Sequence, residues 1–419
     1  MRKKYLACAI ACLLPATQLT AEERIILVED SFLQLSEEIY EPDEIHMSPT
    51  GDAGEALRNI PGVSGIRMGG RGIDPIIRGQ SQTRLNILID GAYVHGGCPN
   101  RMDPPTAYNG IDTFENITVI KGSQTVLYGG GGSGGTVLFE REKPEFTADK
   151  NYMGSFSAGL KDNSEYWETS IDVAAGNSDA YLRGLATYSD ADNYEDGDGN
   201  KVSSAFTGKE GTVIAGYNFD AKSNSELSYT ANREDDIYFA GAGMDSPWTD
   251  NDLYQLKFNT ENAVGPFSAI KAEIYSSDVD HLMDNYSLRK KGMPNMYARA
   301  PSTSDTDGGR VIATFQQTAH TWNIGVDYQD NTRKAERYSA MSAAAANSAT
   351  TPDSILWPDA ELKQTGIFAE MERPLDQNNR VKVGLRYDYV EADISKADDT
   401  AQLNTPMGVV QYTPRELYN

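Results

Sequence analysis

From Tyr152 onward the chain repeats one pattern, segments of about ten residues in which apolar and polar side chains alternate. Residues 154–160, 170–175, 181–188 and 212–217 carry it, as do 269–275, 310–315, 322–328 and 381–387, many of them ending on an aromatic residue. Alternation alone also suits a soluble sandwich, because a period of two gives any strand two unlike faces. The connections separate the two readings. Short turns at 177–179, 220–225 and 376–379 alternate with long polar loops at 190–204, 236–249, 283–308 and 339–359. Short turns at one end and long loops at the other predict an antiparallel transmembrane β-barrel. Roughly eleven strands are counted before Asn419, and an open, odd-numbered sheet leaves backbone groups that hydrocarbon cannot satisfy. The expectation is therefore a membrane β chain with part of a barrel, truncated over 149–419, which does not insert stably by itself.

The N-terminus reads as an export signal over residues 1–21. Arg2, Lys3 and Lys4 precede a short apolar run, and Thr20-Ala21 offers a processing point. That run is too short to span a bilayer, and no later run of apolar residues is long enough for a spanning helix. Cys8 and Cys12 leave with the signal; Leu13 and Leu14 extend the apolar run past Cys12, which argues against lipidation there. One cysteine remains, Cys98, so no internal disulfide is available. The formal charge of −24 argues against a nucleic-acid partner, since phosphate binding needs the opposite sign.

Residues 39–148 have a different grammar and predict an α+β domain of ordinary size. A capped helix is expected at 50–61, ended by Pro61 and Gly62. Strands are expected at 85–90, 117–122 and 136–139, with a glycine tract from Gly129 to Gly135. That tract lacks the Lys-Ser/Thr of a phosphate loop, and no nucleophile or acid/base pair suggests an enzyme.

Four ordered stretches in this domain, 56–63, 76–79, 86–91 and 117–129, resemble the plug motifs of TonB-dependent outer-membrane receptors. The resemblance covers the plug fully and the barrel in pattern only. It implies a plug inside a 22-stranded barrel, of which this chain holds about half. It also implies uptake across the outer membrane of a Gram-negative cell, driven by the periplasmic TonB protein. The coupling segment would lie within 22–38, at Ile25, Ile26, Leu27 and Val28, where an extended apolar stretch can add to a partner's sheet edge. A monomer in contact with outer-membrane lipid is expected.

Within that family, Cys98-x3-Met102 and His281-x-Met283 resemble the ligand motifs of the copper receptors of the OprC/NosA kind. Carried over, the resemblance implies copper bound by Cys98, Met102, His281 and Met283, arriving as the ion or on a carrier. Thiolate, thioether and imidazole donors favour Cu(I), with Cu(II) as the second choice. Strand parity makes the set buildable. If Ile270, Ala272 and Ile274 face lipid, then Lys271, Glu273, His281 and Met283 face the lumen, near the extracellular rim. Pro99 suits the first position of a helical turn that puts Cys98 and Met102 on one face. A cysteine at such a helix start, beside Arg101, is expected to have a lowered pKa. His95, Met293 and Met296 are accessory candidates, His95 being as well read as a satisfied plug histidine; Met244 and Met341 are weaker. Two other functions fit parts of the pattern: a ferric-siderophore receptor of the same fold, and a blue-copper-like centre with His95 as second imidazole.

Overall fold

The computed structural model describes residues 37–45, 49–147, 149–288, 296–376, 379–394, 401–405 and 408–412. The export signal, Ile25 to Val28 and Met293 lie outside the described residues.

The N-terminal domain is built on a mixed sheet. Its strands are β1 (Glu37–Tyr40), β5 (Leu85–Ile89), β6 (Ala92–Tyr93), β7 (Asn116–Lys121) and β8 (Gly135–Glu140), in the order β1-β7-β8-β5-β6. A smaller sheet holds β2 (Val63–Ile66), β3 (Asp74–Ile77) and β4 (Gln80–Ser81). The three expected strands are present. β5 is buried along its whole length, and it pairs in parallel with β8, as a run that is apolar but for Asn86 predicts. The expected helix is shorter, Ala53–Leu57, because the Asp52 carboxylate caps Gly54 N at 2.8 Å and starts it late.

Eleven antiparallel strands follow and form one sheet in chain order. They are β9 (Tyr152–Lys161), β10 (Tyr166–Gly176), β11 (Ala180–Ala191), β12 (Phe206–Asp220), β13 (Ser223–Ile237) and β14 (Asp245–Thr260). The rest are β15 (Ala269–Asp284), β16 (Tyr297–Gln316), β17 (Thr321–Ala340), β18 (Ser354–Pro374) and β19 (Arg380–Ile394). A separate hairpin pairs β20 (Ala401–Thr405) with β21 (Gly408–Tyr412). Three of the four long loops are much shorter than their polarity predicted. β16 begins at Tyr297 inside the expected loop 283–308, and β14, β15 and β18 likewise extend into expected loops. Polar side chains are tolerated on a strand that has left the hydrocarbon, so polarity there marks water and not a turn.

The outer face records the membrane. Leu182, Ala215, Leu227, Leu256 and Ile274 stand opposite one another across five neighbouring strands, and the four larger ones are exposed. Above them Tyr229 stacks on Tyr254 with ring centroids 4.9 Å apart. Higher still, Asp252, Asp278 and Asp305 pair across strands. This order, apolar band, aromatic belt, then charge, is that of an outer-membrane barrel. His281 lies beyond the acidic row toward the long connections, opposite Thr249 on β14.

The domain and the wall share a core. Leu57, Ile87, Val119 and Phe139 from the plug pack in one cluster with Leu253, Tyr275 and Val279 from the wall.

Candidate metal centre

Cys98 sits in a tight turn of the plug. Arg101 N donates to Cys98 O at 2.9 Å, and Arg101 takes φ +54°, so the segment is a turn where a helical one was expected. Asp103 pins the start of the turn: its carboxylate accepts from Gly97 N at 2.7 Å and from Cys98 N at 2.9 Å. Tyr108 Oη donates to the same carboxylate at 2.6 Å and fixes it. Gly72, at φ +79°, lets the turn pack closely; a Cβ there would lie 2.1 Å from Met102 O.

The expected lowering of the Cys98 pKa is corrected. Burial, and then the Asp103 charge, push the thiol up to about 12. Arg101 does not offset them, because its guanidinium grips Asp74 through two bonds of 2.9 Å. A metal bound at this thiol must therefore displace its proton.

Along β15, Tyr275, Ser277, Val279, His281 and Met283 are buried, while Asp278 and Asp280 between them are exposed. His281 Nδ1 lies 2.6 Å from Thr249 Oγ1 and 3.7 Å from Asp103 Oδ2. Its Nε2 is buried and has no hydrogen-bond partner among the described residues. A buried imidazole nitrogen left unpaired is costly unless a ligand meets it. The plug turn touches this strand directly: a Cβ on Gly97 would lie 2.9 Å from His281 Cβ.

Cys98, Met102 and Met283 belong to one buried cluster with Tyr166, Phe206 and Phe239. Met68 and Met244 pack against it; Met68 was missed in the sequence, where nothing but its distant contacts distinguishes it. The other candidates lie elsewhere. His95 stacks on Tyr93 with centroids 6.0 Å apart, and its Nε2 is 2.8 Å from Gln329 Nε2. Met296 and Met341 are exposed. Among the described residues no three His, Cys, Asp or Glu side chains gather for a metal, so a metal held here would need thioether donors. One thiol, two thioethers and one imidazole fit a soft ion such as Cu(I) and suit oxygen-seeking ions poorly.

Residues 33–136 match the TonB-dependent receptor plug domain. No curated protein matches. Among solved structures, the copper transporter OprC is similar at 31% identity with a TM-score of 0.78, over 90% of this chain and 57% of that one. The FrpB iron transporter of Neisseria meningitidis (15% identity, TM-score 0.65) aligns over 85% of this chain and 59% of its own. The siderophore receptor PirA of Acinetobacter baumannii (14%, TM-score 0.61) aligns over 86% of this chain and 57% of its own. The last two show the fold alone, and the chain spans less than two thirds of each of the three structures. With its plug domain and the wall built around it, the chain belongs with the TonB-dependent receptors and is similar to the copper transporter OprC.

Proposed function

We propose that the chain is the plug and part of the barrel of an outer-membrane receptor that binds copper and mediates its uptake. Cys98 and Met102 from the plug, with His281 and Met283 from β15, are the ligands. The observation that most supports this reading is the buried, unpartnered Nε2 of His281 beside the turn that carries Cys98. The donor set favours Cu(I). Binding releases the Cys98 proton, and Thr249 holds the imidazole through Nδ1, which leaves Nε2 for the ion.

Because two ligands come from the plug and two from the wall, movement of the plug would take the set apart and release the cargo inward. TonB, engaging residues Ile25 to Val28 from the periplasm, would supply the work. The reading is transport in the outer membrane and not catalysis.

The test is copper content after Cu(I) loading of the full-length receptor, wild type against Cys98→Ala, Met102→Ala, His281→Ala and Met283→Ala. Each variant should lose copper. Full copper content in all four would remove the proposed site. Deleting residues 25–28 should abolish copper uptake by cells while the purified protein still binds copper.

A further inference from the structure

Asp103 lies between the two halves of the site. Its Oδ2 is 3.7 Å from His281 Nδ1 on the wall, and Cys98 N on the plug donates to its Oδ1 at 2.9 Å. The side chain is buried, with 4% of its surface exposed. Gly97 N and Tyr108 Oη also donate to it, at 2.7 Å and 2.6 Å. These donors are neutral, and they occupy the lone pairs that would otherwise reach an ion.

What Asp103 lacks is a cation. Other buried carboxylates have one: Glu234 meets Arg71 at 2.7 Å, Asp74 meets Arg101 at 2.9 Å, and Asp90 meets Lys257 at 2.5 Å. Among the described residues no Lys or Arg lies within ion-pair distance of Asp103. A carboxylate buried without a cation is costly, and the cost falls when a positive charge arrives beside it. Such a charge arrives when the neighbouring donors take a metal ion.

We propose that Asp103 is the counter-charge of the metal centre, a residue that touches no ion but sets which ionic charge the centre prefers. The inference rests on the ligand set proposed above. In that set Cys98 brings at most one negative charge, and the thioethers and the imidazole bring none. Donor softness selects the element, and Asp103 adds a field that favours a divalent ion over a monovalent one. A divalent ion carries one more charge into that field and gains one more unit of attraction, with the Cys98 proton lost equally in both cases.

Ag(I) and Cd(II), both soft ions of fixed charge, are the probes. Their affinities are measured by chelator competition on the full-length receptor in chloride-free buffer, and the readout is the ratio of Cd(II) to Ag(I) affinity. Asp103→Asn keeps the size, removes the charge and should lower this ratio about tenfold or more. Asp103→Ser removes the same charge and should lower it likewise, so a folding defect in one variant does not decide the result. Tyr108→Phe loosens the carboxylate but leaves its charge, and should weaken both ions alike with the ratio unchanged. An unchanged ratio in Asp103→Asn or Asp103→Ser, or an equal fall in Tyr108→Phe, would overturn the counter-charge alone. A wild-type receptor that binds neither ion would overturn the ligand set, and the counter-charge with it.

Discussion

At the scale of single residues, the site is decided by what each donor is already bonded to. His281 Nδ1 is hydrogen-bonded to Thr249 Oγ1, and Nε2 has no partner among the described residues. Thr249→Val removes that hydrogen bond and should weaken Cu(I) binding about 10- to 100-fold, measured by competition with a Cu(I) chelator. His95 illustrates the opposite case. Its folded pKa of about 3 lies below the ordinary value of 6.5. The unfolded chain therefore takes up a proton that the folded chain refuses. The stability contribution of the neutral ring is complete above pH 6.5 and is lost as the pH falls toward 3. Denaturant unfolding followed across this window should show a flatter acid limb in His95→Gln. The proposed ligand motifs at this scale come from the sequence through their resemblance to those of known copper receptors. The protonation state of Cys98 was not legible there. It depends first on burial and then on the Asp103 charge, both brought about only by folding.

At the scale of elements, β15 is the part that sequence reads well. Alternation along one strand fixes which side chains share a face, so His281 and Met283 face inward as expected. The plug turn is the part it reads poorly. Pro99 and the Cys98/Met102 spacing favour a helical turn, but Arg101 takes the left-handed region at φ +54° and ends it after one 2.9 Å bond from Arg101 N to Cys98 O. The seam between turn and strand is narrow, with Gly97 facing His281. Gly97→Val should push the turn off β15 and lower Cu(I) affinity by at least about tenfold, a loss of roughly 1.4 kcal/mol. The unfolding midpoint should change little, because the substitution sits at the margin of the plug core. Retained affinity in this variant would mean that the two pairs of ligands need no close seam.

At the scale of the whole molecule, ion pairs between plug and wall hold the two halves of the site in register. Arg71 of the plug meets Glu234 of β13 at 2.7 Å, with both side chains almost fully buried. Asp90 of the plug meets Lys257 of β14 at 2.5 Å. Arg183 of β11 reaches Glu115 of the plug and also Asp172 at 2.7 Å. Glu234→Gln leaves Arg71 buried without its partner and should cost about 3 kcal/mol of stability, read from denaturant unfolding. Such a pair fixes position more than it adds stability, because both charges were better solvated before docking.

The sequence by itself determined the local periodicities, and with them the plug strands, the barrel wall and the inward face of His281 and Met283. These follow from hydrogen bonding and side-chain direction within a few residues. Only the tertiary structure decided the rest: the raised pKa of the Cys98 thiol, the entry of Met68 and Met244 beside the sulfur cluster, and the buried His281 Nε2 with no hydrogen-bond partner among the described residues. Each of these depends on the field and the neighbours at one point in space, and residues distant along the chain create that point only when the plug is seated in its wall.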